Sequence, residues 1–232
     1  MRIVSWNIRH GGGTRIAAIL RCLAEYRPDV LVLVEFRQGQ GGDRLRNELS
    51  QHGLSEHAIA TAGPRQNSVL IAARKSFETV TLPGIEDGDA HRVVGVSFGD
   101  LDVVGFYFAN GEKKIPLWRS LVTAAPSLLT RPTLLIGDFN TGRHWKDEKG
   151  ATFWCAKDFE ALLLAGMIDG WRHFHGDATA ATWLSSYGNG FRLDHAFVSP
   201  LLLPRLKSVE YSHIERESKV SDHSLLLVEL AG

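Results

Sequence analysis

Sulfur is scarce in this chain: of 232 residues only Cys22 and Cys155 are cysteine. Two isolated thiols make no disulfide framework, which excludes the small secreted folds stapled by such bridges. Cys22 falls inside a helical pattern and is expected in the core. Net charge is missing too, with Lys plus Arg and Asp plus Glu both at 26. The overall basic excess common in nucleic-acid binders is therefore absent, although a basic face opposite an acidic site would cancel in the same sum. No apolar run approaches the ~20 residues that span a bilayer, so no membrane association is expected. Met1 leads straight into a strand, with no basic and then apolar leader, and the expected setting is reducing and cytoplasmic. His10, His144, His173 and His175 are scattered without zinc spacing and are assigned to no metal.

Apolar residues make up 44% of the chain, enough for a sizeable core, and no low-complexity linker divides it, so one domain over 1–232 is expected. Strands are predicted over residues 2–8, 29–36, 68–74 and 192–199, near Trp183, and over 207–214 and 223–230, with a hairpin around Gly99 and Asp100. Ile16, Ile19, Leu20 and Leu23 fall at helical spacing behind Thr14 as N-cap and ahead of Pro28. A polar turn and a short helix at 45–49 follow, then helices beginning near Leu117 and near Ala156, the last closed near Gly166. Strands outnumber helices, and helices occur in both halves. That predicts an α+β fold of two sheets packed face to face with helices outside.

The stretch "TLLIGDFNTG", residues 133–142, raises the functional question. An apolar strand reaches Gly137, expected to break it, and then presents Asp138 and Asn140. Similar polar ends recur: Asn7 closes the first strand, Glu35 the second, Asp194 lies in "RLDHAFVS", and Asp222 with His223 opens the last strand. Carboxylates are poor strand formers and costly to bury alone. Several gathered from distant segments require a cation, and an oxygen-rich set suits Mg²⁺ or Mn²⁺ rather than zinc. With His223, Tyr107 and nearby arginines as donors, the set is suited to phosphate-ester hydrolysis. Asp138 would orient or deprotonate water, and Asp194 would hold His223 charged or correctly turned.

Each residue also has a plainer reading. Asp138 and Asn140 form an Asx turn in many proteins. Tyr107, between two phenylalanines, suits ordinary packing. Arg9, Arg37, Lys113, Lys114, Arg119 and Arg143 read either as a phosphate track or as surface charges. Trp145, Trp154 and Tyr187 read as base-stacking rings or as loop anchors, and Gly11 to Gly13 as an anion nest or a flexible connection.

Five segments, "SWNIRHGG", "PDVLVLVEFR", "LLIGDFN", "FRLDHAFVS" and "VSDHSLLLVEL", stand in the order seen in the endonuclease/exonuclease/phosphatase superfamily and span nearly the whole chain. "FYFANGE" (residues 106–112) and the stretch from Trp183 to Asp194 are most similar to its exonuclease III and abasic-site endonuclease branch. The resemblance implies a four-layer αββα sandwich and a Mg²⁺- or Mn²⁺-dependent phosphodiesterase acting on DNA, as abasic-site endonuclease, 3′-exonuclease or both. By the same resemblance Glu35, helped by Asn7 and Asp222, holds the metal. Asp138, Asn140, Tyr107 and the Asp194–His223 pair carry the chemistry. Asn110, Arg9, Trp183, Phe191 and Leu193 meet the substrate. A monomer acting on abasic or nicked duplex, in DNA repair, is the expectation.

Two positions depart from the branch. Arg9 stands where abasic-site enzymes usually carry an acid, and Thr182 where a large aromatic is common. The first keeps open a phosphatase or phosphodiesterase for small-molecule or lipid esters. A nucleic-acid-binding module without catalysis is the alternative of another class.

Overall fold

Strands that are apolar at every position need cover on both faces, and this chain supplies it by stacking two sheets between helices. The computed structural model describes residues 1–63, 65–82, 84–85 and 87–232. In its first half the elements are β1 (Arg2–Asn7), α1 (Ile16–Tyr26), β2 (Val30–Phe36), α2 (Gln40–Gln51), β3 (Glu56–Ile59), β4 (Ser68–Ala73), β5 (Glu78–Val80), β6 (Val93–Ser97) and β7 (Asp102–Tyr107). They continue with α3 (Ile115–Leu128), β8 (Thr133–Asp138), α4 (Ala156–Leu164), β9 (Ile168–Asp169), α5 (Gly170–His175), β10 (Trp183–Leu184), β11 (Gly190–Phe191), β12 (Asp194–Val198), β13 (Leu206–Ser212), α6 (Ile214–Glu217) and β14 (Leu225–Leu230).

One six-stranded sheet runs β13-β14-β1-β2-β4-β3, the other β5-β6-β7-β8-β12-β9, and β10 with β11 forms a small separate hairpin. Each large sheet is mixed, with one parallel pair near its middle: β1 with β2 across α1, and β7 with β8 across α3. Strand alternation sorts the core into three layers. In β2, Val30, Val32 and Val34 meet the opposite sheet, while Leu31, Leu33 and Phe36 lie under α1 and α2. In β8, Leu134 and Ile136 face inward, while Leu135 packs with Trp118 and Phe159 under α3 and α4. This is the expected αββα order of layers. Contact between the sheets is close at Gly105, where a Cβ would come within 2.7 Å of Val32 and 2.9 Å of Val69.

Several local expectations change. The strand does not break at Gly137 but runs through Asp138, with Gly137 at φ 142° because a Cβ would sit 2.1 Å from Phe106 O. Thr14 is not a helix cap; it lies in a short 3-10 turn ahead of α1. The polar stretch before residue 45 is helical from Gln40, since Gly42 lets α2 press onto Arg37 O and Phe36 where a side chain would not fit. Strands β3, β5, β9 and β11 are too short for periodicity to reveal.

A buried charge network secures the segments behind β12. Arg192 is fully buried, its Nε 2.7 Å from Asp147 Oδ1 and its Nη2 2.5 Å from Asp169 Oδ2. Its guanidinium also lies 5.0 Å from the Trp171 ring. Burial alone would raise both carboxyls, but Arg192 outweighs it and holds them below the usual carboxylate range. Because the residue after Arg192 and Leu193 is Asp194, this network fixes the base of a strand that the site depends on.

Candidate active site

Strand alternation also explains how polar groups converge. Ile3, Val103, Leu134 and Ala196 lie in the layer between the sheets, and counting by twos along their strands leads to Asn7, Tyr107, Asp138 and Asp194. All four occupy the inward face at one rim. Register agrees: Asp138 pairs with Asp194 on one side and with Tyr107 on the other. Phe106 and Phe108 take the outward face and stack at 5.5 Å, which leaves Tyr107 inward. Tyr107 therefore packs against the layer between the sheets, with its hydroxyl at the rim.

Glu35 reaches the same rim by an irregularity. β2 slips register between Val34 and Phe36, and Glu35 at the slip has φ 57°, a left-handed value that a regular strand would not allow. Its Oε1 accepts from Asn7 Nδ2 at 3.3 Å and its Oε2 from His10 N at 2.8 Å. Residues 9–13 are all left-handed, φ 51–76°. The backbone N–H of Arg9 goes to Asn7 Oδ1 and that of Gly11 to Glu35 O. Residues 9–11 thus wrap Glu35, and of the glycines expected as an anion nest or flexible connection, Gly11 and Gly12 spend their N–H groups on Glu35 O and Arg9 O.

Asp138 is the centre of the set. Asn7 Nδ2 donates to its Oδ2 at 3.0 Å, while Asn140 donates its backbone N–H to Oδ1 at 3.0 Å and its side-chain Nδ2 to Oδ2 at 3.3 Å. The Asx-turn reading is thus correct as geometry, and the turn is part of the site. Asn140 is itself left-handed at φ 50°, with Nδ2 also tied to Phe108 O at 2.7 Å. Its carbonyl accepts from Lys114 Nζ, whose residue is only 3% exposed, so Lys114 is no surface charge. Burial lowers that lysine to about 8.

His223 stands opposite. Its Nδ1 lies 2.9 Å from Asp194 Oδ2 and its Nε2 3.9 Å from Asp138 Oδ2. Burial alone would lower the imidazole, but Asp194 and Asp138 outweigh it and raise it to about 10. Burial also raises Asp138, an effect that His223 opposes and Asp194 reinforces. One ligand atom from each of these three residues falls within 4.8 Å of the others, making a buried acid–histidine group of a size to hold a cation. Its internal Asp194–His223 hydrogen bond also suits it to proton handling.

The remaining expected residues are spread more widely. Asp222 is paired with Arg9, Oδ2 to Nε at 3.7 Å, and both are partly exposed. Asn110 is exposed, at the entrance of the 3-10 turn that ends in Lys114, with no cap hydrogen bond. Trp183 and Phe191 face each other across the β10–β11 hairpin with ring centres 5.8 Å apart. Leu193 is buried, 7% exposed. Thr182 is buried, and its Oγ1 accepts from the backbone N–H of Leu193 and Asp194 at 2.9 and 3.2 Å. A small hydroxyl there positions Asp194, a task that a large aromatic could not perform.

Asn67 escaped the sequence reading. Its Nδ2 donates to Tyr107 OH at 3.2 Å and its Oδ1 accepts from Arg37 Nε at 2.6 Å. An asparagine in the connection between β3 and β4 carries no signal of its own.

Residues 4–223 match the Endonuclease/Exonuclease/phosphatase family. The chain is 25% identical to a DNA-(apurinic or apyrimidinic site) endonuclease of Dictyostelium discoideum, covering 96% of this chain and 68% of that protein. It is 23% identical to an exodeoxyribonuclease of Bacillus subtilis, with 96% of both covered. Among solved structures, a 3′ phosphatase from Neisseria bound to a product DNA hairpin superposes with a TM-score of 0.85 at 24% identity, over all of both chains.

Proposed function

This chain belongs to the endonuclease/exonuclease/phosphatase family, and we propose that it is a Mg²⁺-dependent DNA phosphodiesterase of exonuclease III type, working in DNA repair at abasic sites, at 3′ ends or at both. The observation that carries the reading is Asp138: a fully buried carboxylate held by three N–H donors and faced by an Asp-backed imidazole 3.9 Å away. The named activities of the relatives support it.

Glu35, with Asn7 and Asp222, would hold the metal. The fit is chemical: two carboxylates and an amide are hard oxygen donors, and an ion there would compete with Arg9 for Asp222 and with His10 for Glu35. When bound, the ion neutralises charge developing on the phosphate oxygens. Asp138 takes the proton of the attacking water, whose oxygen forms the new bond to phosphorus as the bond to the departing oxygen breaks. His223 keeps its proton near neutral pH and donates a hydrogen bond from Nε2 to a phosphate oxygen. Tyr107 holds the same group, Asn140 keeps Asp138 aimed at the water through its N–H donors, and Arg9 meets a flanking phosphate. The 141–155 loop and the β10–β11 hairpin meet through Phe153 and Phe191, at 5.8 Å, and present Trp145 and Tyr187 at 73% and 91% exposure for base contact. A single monomeric catalytic unit in a reducing cytoplasm completes the reading, in keeping with two free cysteines.

The test is an assay with Mg²⁺ or Mn²⁺ on abasic duplex, nicked duplex, single strand and a chromogenic bis-phosphodiester. Asp138→Ala and His223→Ala should each lose about a hundredfold or more. Hydrolysis confined to the small ester would replace DNA with a small substrate, and full activity in both variants would discard the site.

A further inference from the structure

Asn67 is the only protein hydrogen-bond partner of the Tyr107 hydroxyl among the described residues. It stands immediately before β4, where the slip in β2 sets Phe36 opposite Ser68 and brings Arg37 alongside. The irregularity that turns Glu35 into the site therefore also positions the arginine that Asn67 contacts.

The direction of this chain of contacts follows from donor and acceptor chemistry. A guanidinium has donors and no acceptor. Arg37 Nε at 2.6 Å thus fixes the near end of the Asn67 amide as oxygen. The far end must be nitrogen, and it faces the Tyr107 hydroxyl at 3.2 Å. An amide N–H donates, so the phenolic oxygen accepts and its own proton points elsewhere. No protein atom among the described residues takes that proton. Tyr107 sits on the inward rim, in register with Asp138.

We infer that Asn67, held by Arg37, sets the direction of the Tyr107 hydroxyl so that it donates to an oxygen of the bound phosphate. The inference rests on the phosphodiesterase reading above and adds a positioning residue to it. Phosphate oxygens offer lone pairs, so a hydroxyl whose oxygen is already engaged and whose proton is free meets them without reorienting in each turnover. Asn67 acts on the hydroxyl through one N–H, while its Nδ2 also lies 3.4 Å from His10 Nδ1, and it does not touch the substrate.

A role that small has a specific signature. Asn67→Ala should lower kcat roughly five- to tenfold, the scale of one neutral hydrogen bond, with KM for DNA nearly unchanged. In a Tyr107→Phe background, which lacks only the hydroxyl, the same substitution should cost nothing further. Asn67→Asp keeps the shape but offers an acceptor where a donor stood. It would draw the hydroxyl proton back, so it should lose more than Asn67→Ala while Tyr107 is present, and that excess should shrink in Tyr107→Phe. Equal losses in the two backgrounds, for either variant, would mean that Asn67 acts on the fold or the DNA and would overturn the inference. So would a Tyr107→Phe enzyme as active as the original. If the original protein hydrolyses none of the esters, the functional reading fails separately. Neutron diffraction then decides the direction directly, and a hydroxyl deuterium pointing at Asn67 refutes it.

Discussion

His223 places Nδ1 2.9 Å from Asp194 Oδ2 and, on its other side, Nε2 3.9 Å from Asp138 Oδ2. The two carboxylates are cross-strand neighbours of one ladder, yet the imidazole comes from the segment leading into β14 of the other sheet. A buried cation between two buried carboxylates offsets part of the desolvation cost of each, and it leaves one edge of the ring to meet an incoming anion.

Removing the backing carboxylate should expose that dependence. Asp194→Asn keeps the shape but withdraws the charge that favours the imidazolium. We expect kcat to fall about a hundredfold, with DNA affinity changed far less. NMR titration should show the His223 pKa falling toward neutrality, and an unmoved value would contradict the pairing.

The pH profile follows from the same groups. A water-activating Asp138 must be ionised, and burial raises it above the ordinary carboxylate value of about 4. His223 must stay protonated, and it does so until the pH nears about 10. Rate should therefore climb through an acid limb displaced upward and decline only at strongly alkaline pH. Asp138→Asn should remove the acid limb along with most of the activity. An alkaline decline that begins at the unperturbed histidine value of about 6.5, rather than near 10, would count against this assignment.

Metal dependence should track Glu35. Chelation should abolish hydrolysis, and added Mn²⁺ should raise the thermal midpoint of the original protein by binding the folded state alone. Glu35→Gln should bind Mn²⁺ far more weakly and lose that thermal response, as measured by calorimetry. An undiminished response would move the metal away from Glu35.

Acid sensitivity should arise partly outside the site. His195 is fully buried, with Nε2 2.8 Å from Thr141 O and Nδ1 unpartnered. Burial, followed by the nearby Arg192, lowers it to about 4. The unfolded chain titrates it near 6.5. Between these values the folded state binds fewer protons, so stability falls as pH drops from 6.5 toward 4, by roughly 3 kcal/mol at most. Asp147 and Asp169, held low by Arg192, add to the loss only further down. Urea unfolding at several pH values should show His195→Gln flattening the upper window and leaving the lower one. An equally steep upper window in the variant would place the sensitivity elsewhere.

Sequence and structure agree where one residue's type and position suffice. Asn7, Glu35, Asp138 and Asp194 announce themselves because a polar group at the end of an apolar strand is anomalous, and all four meet at one rim. The alternation that buries Val30, Val32 and Val34 against the other sheet is equally legible, and it gives the layer order. What remained hidden depends on register and on partners. The slip at Glu35 is invisible without the β2–β4 pairing. Lys114 and Arg192 look like any surface cation until burial is known, and Asn67 is an ordinary loop amide until Arg37 fixes its orientation. Arg9, beside Asp222, acquires a partner that spacing alone did not suggest.

One amide links the halves of the molecule. Asn7 Nδ2, from the first sheet, reaches both Glu35 beside it and Asp138 on the facing sheet. Neither layer therefore owns a working half of the machinery, and a sideways shear of a single ångström would part the two carboxylates from their shared donor. Turnover thus doubles as a gauge of how the layers are aligned. Substitutions deep between them, at Gly105 for instance, should silence the enzyme through misalignment before they unfold it.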